Sequence, residues 1–226
     1  KLWTLDGRES PVRAAFVNVS RPGATKDPVE FDFERYLLVV LLVMALAMIG
    51  SFVVPTLLVE EKERHTLDAL RLSPATPADV VASKALTGLV HSMLTTGVLI
   101  VMNRGWEGNW PVTVVTILFG ALFMVMIGLL LGGLFHTTAQ VNTWSSIVML
   151  ALTMPSWFTI LPVPAVLQTA LRLNPTHYAV EALSLSLAGE ASLTRVAGNL
   201  AVLAGSVVLI FIAVIWTLRR REYTGA

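Results

Sequence analysis

The feature that most constrains the fold is a series of five apolar runs, each long enough to cross a lipid bilayer. A helix needs about 20 residues to cross a hydrocarbon core about 30 Å thick. By this criterion the predicted spans cover approximately residues 36–59, 80–102, 112–135, 141–161 and 196–218. Backbone polar groups in lipid must be bonded within their own segment, so we expect helices. The predicted fold is therefore an all-α, polytopic membrane helical bundle.

Composition supports a membrane protein and excludes several other classes. The chain is 55% hydrophobic and 14% charged, whereas soluble domains carry about 25% charged residues. A net charge of +1 provides no basic field for nucleic acid, so we expect the lipid bilayer and no nucleic acid as surroundings. No cysteine is present, which excludes disulfides and thiolate metal sites. Without a zinc signature such as H-E-x-x-H, we expect no metal site.

Basic residues predict the orientation of the chain in a cell membrane, the inner or plasma membrane. The run Arg219–Arg221 directly follows the last apolar run, which favours a cytoplasmic C-terminus. Five crossings then place residues 1–34 outside as an extracytoplasmic segment, with residues 35–226 forming the transmembrane domain. An external segment without an export signal needs an earlier crossing. We therefore expect six spans in the full protein.

A charged stretch, "LVEEKERHTLDALRLSPATPADV", follows the first run on the cytoplasmic side. Glu60–Arg64 and Glu61–His65 are i,i+4 pairs in the favourable order, which predicts a helix over residues 60–72. Pro74 ends that helix because it lacks a backbone donor. A rigid, amphipathic rod of this kind suits docking onto another protein, although a solvated loop is the alternative.

Two motifs resemble a known family. The stretch "EEKERHTLDALRLSPATPADVVASKAL" is similar to the cytoplasmic coupling segment of ATP-binding-cassette (ABC) exporter permeases of the ABC-type-2 membrane class. The matching residues are Glu61, Lys62, Glu63, Thr66, Leu67, Asp68, Leu70, Ser73, Pro74 and Lys84. His65 stands where the family usually has glycine. In "LRLNPTHYAVEAL", the residues Pro175, Thr176, Tyr178, Val180, Glu181 and Leu183 fit the motif before the last span, and Ser184 replaces the usual arginine.

The resemblance implies a transmembrane subunit of an ABC exporter that forms the substrate path. It implies a second permease subunit, identical or different, and separate ATPase subunits that bind ATP and Mg²⁺. The chain has no G-x-x-x-x-G-K-[ST] loop, so we expect neither a cofactor of its own nor enzymatic activity. The residues expected to couple to the ATPase are Glu60, Glu61, Lys62, Glu63, Arg64, Thr66, Leu67, Asp68, Leu70, Ser73 and Pro74.

Two further regions are implicated in transport. Residues 163–190 are apolar but interrupted by prolines, which fits an external re-entrant helical hairpin. The expected outer gate in it comprises Pro175, Thr176, Tyr178 and Glu181. By the same resemblance, the first and fourth spans line the route, and their polar residues form the predicted substrate path: Ser51, Thr56, Asn142, Thr143, Ser146 and Thr153.

Two other functions stay open at this point. An intramembrane metallopeptidase-like enzyme would use Glu60, Glu61, His91 and His136. A membrane scaffold or assembly factor would need no energy source. Gly128 and Gly132 are spaced for close helix packing, and Pro55 and Pro155 interrupt the first and fourth spans, where they permit a kink.

Overall fold

The computed structural model describes residues 32–63, 77–106, 108–159 and 164–224, and these residues form an all-helical bundle. The first apolar run is one continuous helical rod made of α1 (Phe33–Met48), a π-helical turn (Ile49–Val53) and α2 (Val54–Glu63). The helices that follow are α3 (Pro77–Met102), α4 (Trp110–Leu134), α5 (Thr138–Trp157), α6 (Ala165–Leu173), α7 (Pro175–Leu187) and α8 (Leu193–Thr224). The predicted fold class is confirmed.

Four of the described helices are long and apolar enough to cross a bilayer. They cover Phe33–Glu63, Val81–Met102, Trp110–Leu134 and Leu193–Thr217. The fourth predicted span, residues 141–161, corresponds to α5, which is not among these four. The reason is its content of hydroxyl and amide side chains, such as Asn142 and Ser145.

Despite its composition, α5 reaches both ends of the bundle. Its first residue, Thr138, is bonded to Glu63 at the end of α2. Near its last residue, the carbonyl of Trp157 accepts a hydrogen bond of 3.4 Å from the Tyr36 hydroxyl at the start of α1. The helix α5 therefore runs antiparallel to the α1–α2 rod over most of its length. The count of five crossings stays a prediction.

The centre of the bundle is α4, which is apolar on every face and packs against the first and the last of the described helices. A helix that is hydrophobic all round must be covered on all sides. In the structure α4 contacts the α1–α2 rod, α3, α7 and α8. One buried cluster joins α1, α4 and α7 through Leu38, Leu42, Ile117, Val180 and Leu183.

Glycines bring α4 unusually close to the π-helical turn. A Cβ placed on Gly128 would collide with the carbonyl oxygen of Gly50, and one on Gly50 would collide with the carbonyl of Met124. Gly132 lies against the Cα of Pro55, where a Cβ would approach to 3.1 Å. The predicted close packing at Gly128 and Gly132 is therefore present. It fixes the π-helical turn, immediately before Pro55, against the middle of α4.

Two short helices, α6 and α7, follow α5, and α7 packs into the bundle. At the turn between them, the Asn174 side chain donates 2.8 Å to the carbonyl of Ala151, six residues before the end of α5. At the far end of α7, the Ser186 hydroxyl lies 2.6 Å from the Thr113 hydroxyl in the first turn of α4. Most of α7 is buried. The helix α6, by contrast, buries one residue, Leu171. The re-entrant hairpin expected for residues 163–190 stays a prediction.

Candidate functional site

The residues that tie the bundle together at one end are the consecutive acid–base–acid run Glu61, Lys62 and Glu63, which we call the clamp. They form the last turn of α2. Successive helix positions are rotated by about 100°, so neighbouring side chains point in different directions. Each clamp residue consequently contacts a different helix.

Glu63 binds the start of α5. Its Oε1 accepts a hydrogen bond of 2.8 Å from the Thr138 backbone N–H, and its Oε2 accepts one of 2.9 Å from the Thr138 hydroxyl. The first N–H groups of a helix have no partner within the helix, and the helix dipole favours a negative charge there. The neighbouring N-cap, Thr137, accepts from the Gln140 N–H at 3.3 Å. Glu63 thus completes the cap of α5 from a different helix.

Lys62 binds the end of α4. Its ammonium group donates to the carbonyl of Gly132, to that of Phe135 at 3.2 Å and to that of Gly133 at 3.4 Å. The last carbonyls of a helix also lack intrahelical partners, and a cation there interacts favourably with the dipole. The three donors of the ammonium match the three carbonyls. No basic residue lies in the last turn of α4 itself, so Lys62 supplies that charge from α2.

Glu61 binds α3 through an ion pair with Lys84. Both side chains are largely shielded, with exposed fractions of 29% for Glu61 and 20% for Lys84. A pair in this setting is screened less by salt than a surface pair. The second turn of α3 is therefore tied to the end of α2, although residues 64–76 separate them along the chain.

Together these contacts make a junction at one end of the bundle. The last turn of α2 contacts α3 through Glu61, α4 through Lys62 and α5 through Glu63. The chain leaves the clamp at Glu63 and returns at Pro77. Residues 64–76 are thus connected at both ends to the clamped helices.

The predicted coupling residues are only partly covered by the structure. Glu60 is exposed at the surface of α2, next to the clamp. The predicted helix 60–72 is seen over its first four residues, which continue α2. The other predicted residues lie outside the described part of the chain: Arg64, Thr66, Leu67, Asp68, Leu70, Ser73 and Pro74.

The predicted gate residues all lie in the first two turns of α7. Thr176 is fully buried, and its hydroxyl donates 2.7 Å to the Oδ1 of Asn174, which caps the helix. Pro175 is the first residue of the helix, where its missing N–H has no cost. Tyr178 is half-buried beside His177, and Glu181 is exposed. The buried members thus shape the turn of the hairpin, and Glu181 faces outward.

The predicted path residues fall on different surfaces. Ser51, in the π-helical turn, and Thr153 in α5 are buried inside the chain. Thr56 is half-buried, and its hydroxyl donates 2.6 Å to the carbonyl of Phe52. The remaining three are exposed on α5: Asn142, Thr143 and Ser146. A single copy of the chain does not bring the six onto one wall.

The residues of the enzyme alternative are not gathered into a metal site. His91 is exposed, with its Nδ1 3.3 Å from the carbonyl of Thr87 on the same helix. Glu61 is engaged with Lys84. Among the described residues, no three histidine or carboxylate side chains lie close enough to share a metal ion.

Sequence reasoning missed most partners of the clamp. The family motif contains Lys84, but it does not show that Lys84 pairs with Glu61. Thr138 and the carbonyls at the end of α4 lie 70 to 75 positions away from the clamp residues that bind them. A usable signal did exist, because the end of α4 has no basic residue and its last carbonyls therefore need a cation from elsewhere.

A comparison with protein families assigns the chain to a family of transporters. The family described as "ABC-2 family transporter protein" matches residues 13–216. Neither the curated proteins nor the solved structures contain a match to the chain. The matched range includes the clamp, the helices α6 and α7, and the first 24 of the 32 residues of α8.

Proposed function

The chain belongs to the ABC-2 transporter family and is a multi-pass membrane subunit of an ABC transporter; from this premise we propose that it is an exporter subunit driven by a separate ATPase. In this proposal the ATPase docks on residues 60–74, and the clamp passes its movement to the helices. The chain has no phosphate-binding loop, so ATP and Mg²⁺ are held by the partner.

The observation that carries the proposal is that three consecutive residues bind three different helices. A docking segment can move a bundle only if it is mechanically connected to it. Residues 64–76 join α2 to α3, and the clamp connects α2 to α3, α4 and α5 by charge-assisted hydrogen bonds. Such bonds are roughly twice as strong as neutral ones. A force on the segment is therefore distributed over four helices.

The proposed orientation places the clamp and the C-terminus in the cytoplasm of the cell. The three arginines at 219–221 are the expected cytoplasmic anchor of the last span. Thr217 near the end of α8 lies beside Gly133, whose carbonyl is bonded to Lys62. The end of α8 and the clamp are therefore at the same end of the bundle, and both are available to a cytoplasmic partner. The re-entrant hairpin then opens toward the outside.

A second permease subunit, either a second copy or a related chain, would cover the exposed face of α5. The hydroxyls of Thr143 and Ser146 donate to carbonyls of their own helix, at 3.0 and 2.9 Å, so lipid could cover them without loss. The Asn142 amide is exposed instead, and an amide facing hydrocarbon is costly. Trp144, which is half exposed and stacked on Phe135 with ring centroids 5.8 Å apart, adds an exposed aromatic surface to the same helix.

Docking of the ATPase is tested by substitution at the predicted contact. We expect Leu67→Asp to reduce co-purification of the ATPase subunit severalfold, because a charge would replace the apolar stripe of the docking helix. The matched control is Leu193→Asp, which alters an exposed leucine at the start of α8, at the other end of the bundle. Equal recovery of the ATPase with both variants would refute docking at this segment.

The subunit interface is tested by disulfide trapping, for which the absence of cysteine provides a clean background. Under oxidation, Asn142→Cys should form a disulfide-linked dimer in membranes. Val208→Cys, on the exposed face of α8, should stay monomeric. Efficient trapping at position 208 and none at 142 would place the partner on another face.

A further inference from the structure

At the end of the bundle opposite to the clamp, the structure contains a cavity of about 620 Å³. It lies between the first turns of α1, the residues that follow α3, and the last residue of α7. Leu37, Leu41 and Met102 form an apolar wall that is open on the outside of the bundle, since all three are exposed. Glu34 and Arg104 belong to the polar wall.

The polar wall carries four charged side chains, of which two form an ion pair with each other and two do not. Asp32 and Arg35 neutralise each other through an ion pair of 2.9 Å, and Asp32 also caps α1 by accepting from the Arg35 N–H. Glu34 and Arg104 have no hydrogen bond or ion pair with any other residue in the described ranges. The cavity is therefore neutral in sum, and it presents one exposed carboxylate and one exposed guanidinium without a side-chain partner among the described residues.

The conformation of Arg104 breaks a local rule. The end of α3 is a Schellman motif, in which the Gly105 N–H bonds to the carbonyl of Ile100 at 2.9 Å. This motif needs a left-handed residue just past the helix end, and glycine usually occupies that position. Here Arg104 occupies it, with φ of 52°. A bulky residue in this region is strained, and such strain concentrates at ligand-binding positions.

The ends of two candidate spans, at Phe33 and Met102, adjoin the cavity, which indicates a position near the boundary between hydrocarbon and headgroups. Trp106 and Trp110 are close in the chain to the lining residues Gly105 and Gly108. These tryptophans are 50% and 61% exposed. Exposed tryptophans in membrane proteins are enriched at this boundary. The polar wall then faces lipid headgroups, and the apolar wall faces the first part of the acyl chains.

From these observations we propose that the cavity binds a zwitterionic membrane phospholipid. The guanidinium of Arg104 binds the phosphate, the carboxylate of Glu34 binds the ammonium, and an acyl chain lies along Leu37, Leu41 and Met102. An anionic phospholipid would satisfy Arg104 and leave Glu34 facing a negative headgroup. This lipid is a bound ligand of the transporter, so the inference does not depend on how the ATPase docks.

The test is native mass spectrometry of the purified full chain with three defined probes: dioleoylphosphatidylethanolamine, dioleoylphosphatidylglycerol and glycerophosphoethanolamine. We expect the wild type to retain the phosphatidylethanolamine in preference to the phosphatidylglycerol. Glycerophosphoethanolamine, which has the headgroup without chains, should not be retained. Equal retention of the two lipids, or retention of the bare headgroup as strongly as of the lipid, would overturn the proposal.

Two substitutions locate the site. Arg104→Gly places the preferred residue in the left-handed position, so its Tm should be unchanged or higher, while phosphatidylethanolamine binding falls by about tenfold, the effect of losing one charged contact. Glu34→Gln should abolish the preference for phosphatidylethanolamine over phosphatidylglycerol. Arg172→Gln, which removes an exposed arginine outside the cavity, should bind both lipids like the wild type. If Arg104→Gly and Arg172→Gln bind lipid equally, the cavity is not the site.

Discussion

Glu63 and Thr138 are joined by two hydrogen bonds, one from the backbone N–H at 2.8 Å and one from the hydroxyl at 2.9 Å, so that the last residue of α2 caps the first residue of α5. The two residues are 75 positions apart. The contact links the helix that leads into the proposed docking segment with the helix whose exposed face would meet a second subunit. In the proposed mechanism this contact passes a movement of α2 on to α5.

Removal of the Glu63–Thr138 contact should uncouple transport from ATP hydrolysis without preventing assembly of the transporter. In Glu63→Ala the two acceptors for Thr138 are lost, and the start of α5 no longer follows α2. We expect the assembled transporter to hydrolyse ATP while transport in proteoliposomes falls severalfold. The control is Glu190→Ala, an exposed carboxylate at the other end of the bundle, which should retain wild-type transport per ATP. If Glu63→Ala instead showed the same transport per ATP as the wild type, the clamp would not transmit movement.

Lys62 should contribute to the stability of the bundle through the end of α4. Lys62→Met keeps the length of the side chain and leaves the carbonyls of Gly132, Gly133 and Phe135 without their cation. We expect the free energy of unfolding of Lys62→Met to fall by about 1 kcal/mol, which is typical of the contribution of a charge at a helix end. Lys62→Arg should lose less, since it keeps the charge. Thermal unfolding in detergent, followed by circular dichroism, measures both. Identical Tm values for Lys62→Met and Lys62→Arg would mean that the charge at position 62 does not stabilise the bundle.

The Glu61–Lys84 pair is suited to a charge-reversal experiment. Each single reversal, Glu61→Lys or Lys84→Glu, brings two like charges together in a partly buried site and should lower the Tm. The double variant restores opposite charges and should recover a good part of the loss, with a coupling energy of about 0.5–3 kcal/mol for residues in contact. Additive losses in the double variant would exclude a direct interaction between the two side chains.

The close packing of the π-helical turn on α4 predicts a sharp difference between glycines. Gly50→Ala places a methyl group against the carbonyl of Met124, and overpacking of this kind costs about 1–3 kcal/mol. Gly97→Ala is the matched control, because no atom lies within 4 Å of the added Cβ. It should be neutral or stabilising, by up to about 1 kcal/mol, since alanine favours helix. Equal unfolding temperatures would mean that the two helices do not approach as described.

The sequence was sufficient to predict an all-helical membrane bundle because the apolar runs are long and separated by polar or proline-rich stretches. The helix α5 shows where hydropathy becomes ambiguous. It reaches both ends of the rod, yet Asn142, Ser145 and their polar neighbours keep it out of the group of four apolar spans. Helix contacts replace lipid on part of its surface, and composition does not report such contacts.

The clamp shows a different limit. The charges of Glu61, Lys62 and Glu63 are visible in the sequence, and their order agrees with the family motif. Their partners depend on which helix ends meet, which is decided by packing of α4 and α5 over long chain separations. The π-helical turn likewise lies where Gly50 meets Gly128, a contact between residues 78 positions apart. Local sequence patterns predict the helices. The contacts between helix ends can be identified only from the folded structure.

The central claim, that an ATPase acts on the segment after α2, is tested most directly by site-specific photocrosslinking in the assembled transporter. A single cysteine at Leu67, labelled with a benzophenone maleimide, should capture the ATPase subunit on illumination, whereas the same label at Glu190 should not. Capture from position 190 with none from position 67 would contradict the account.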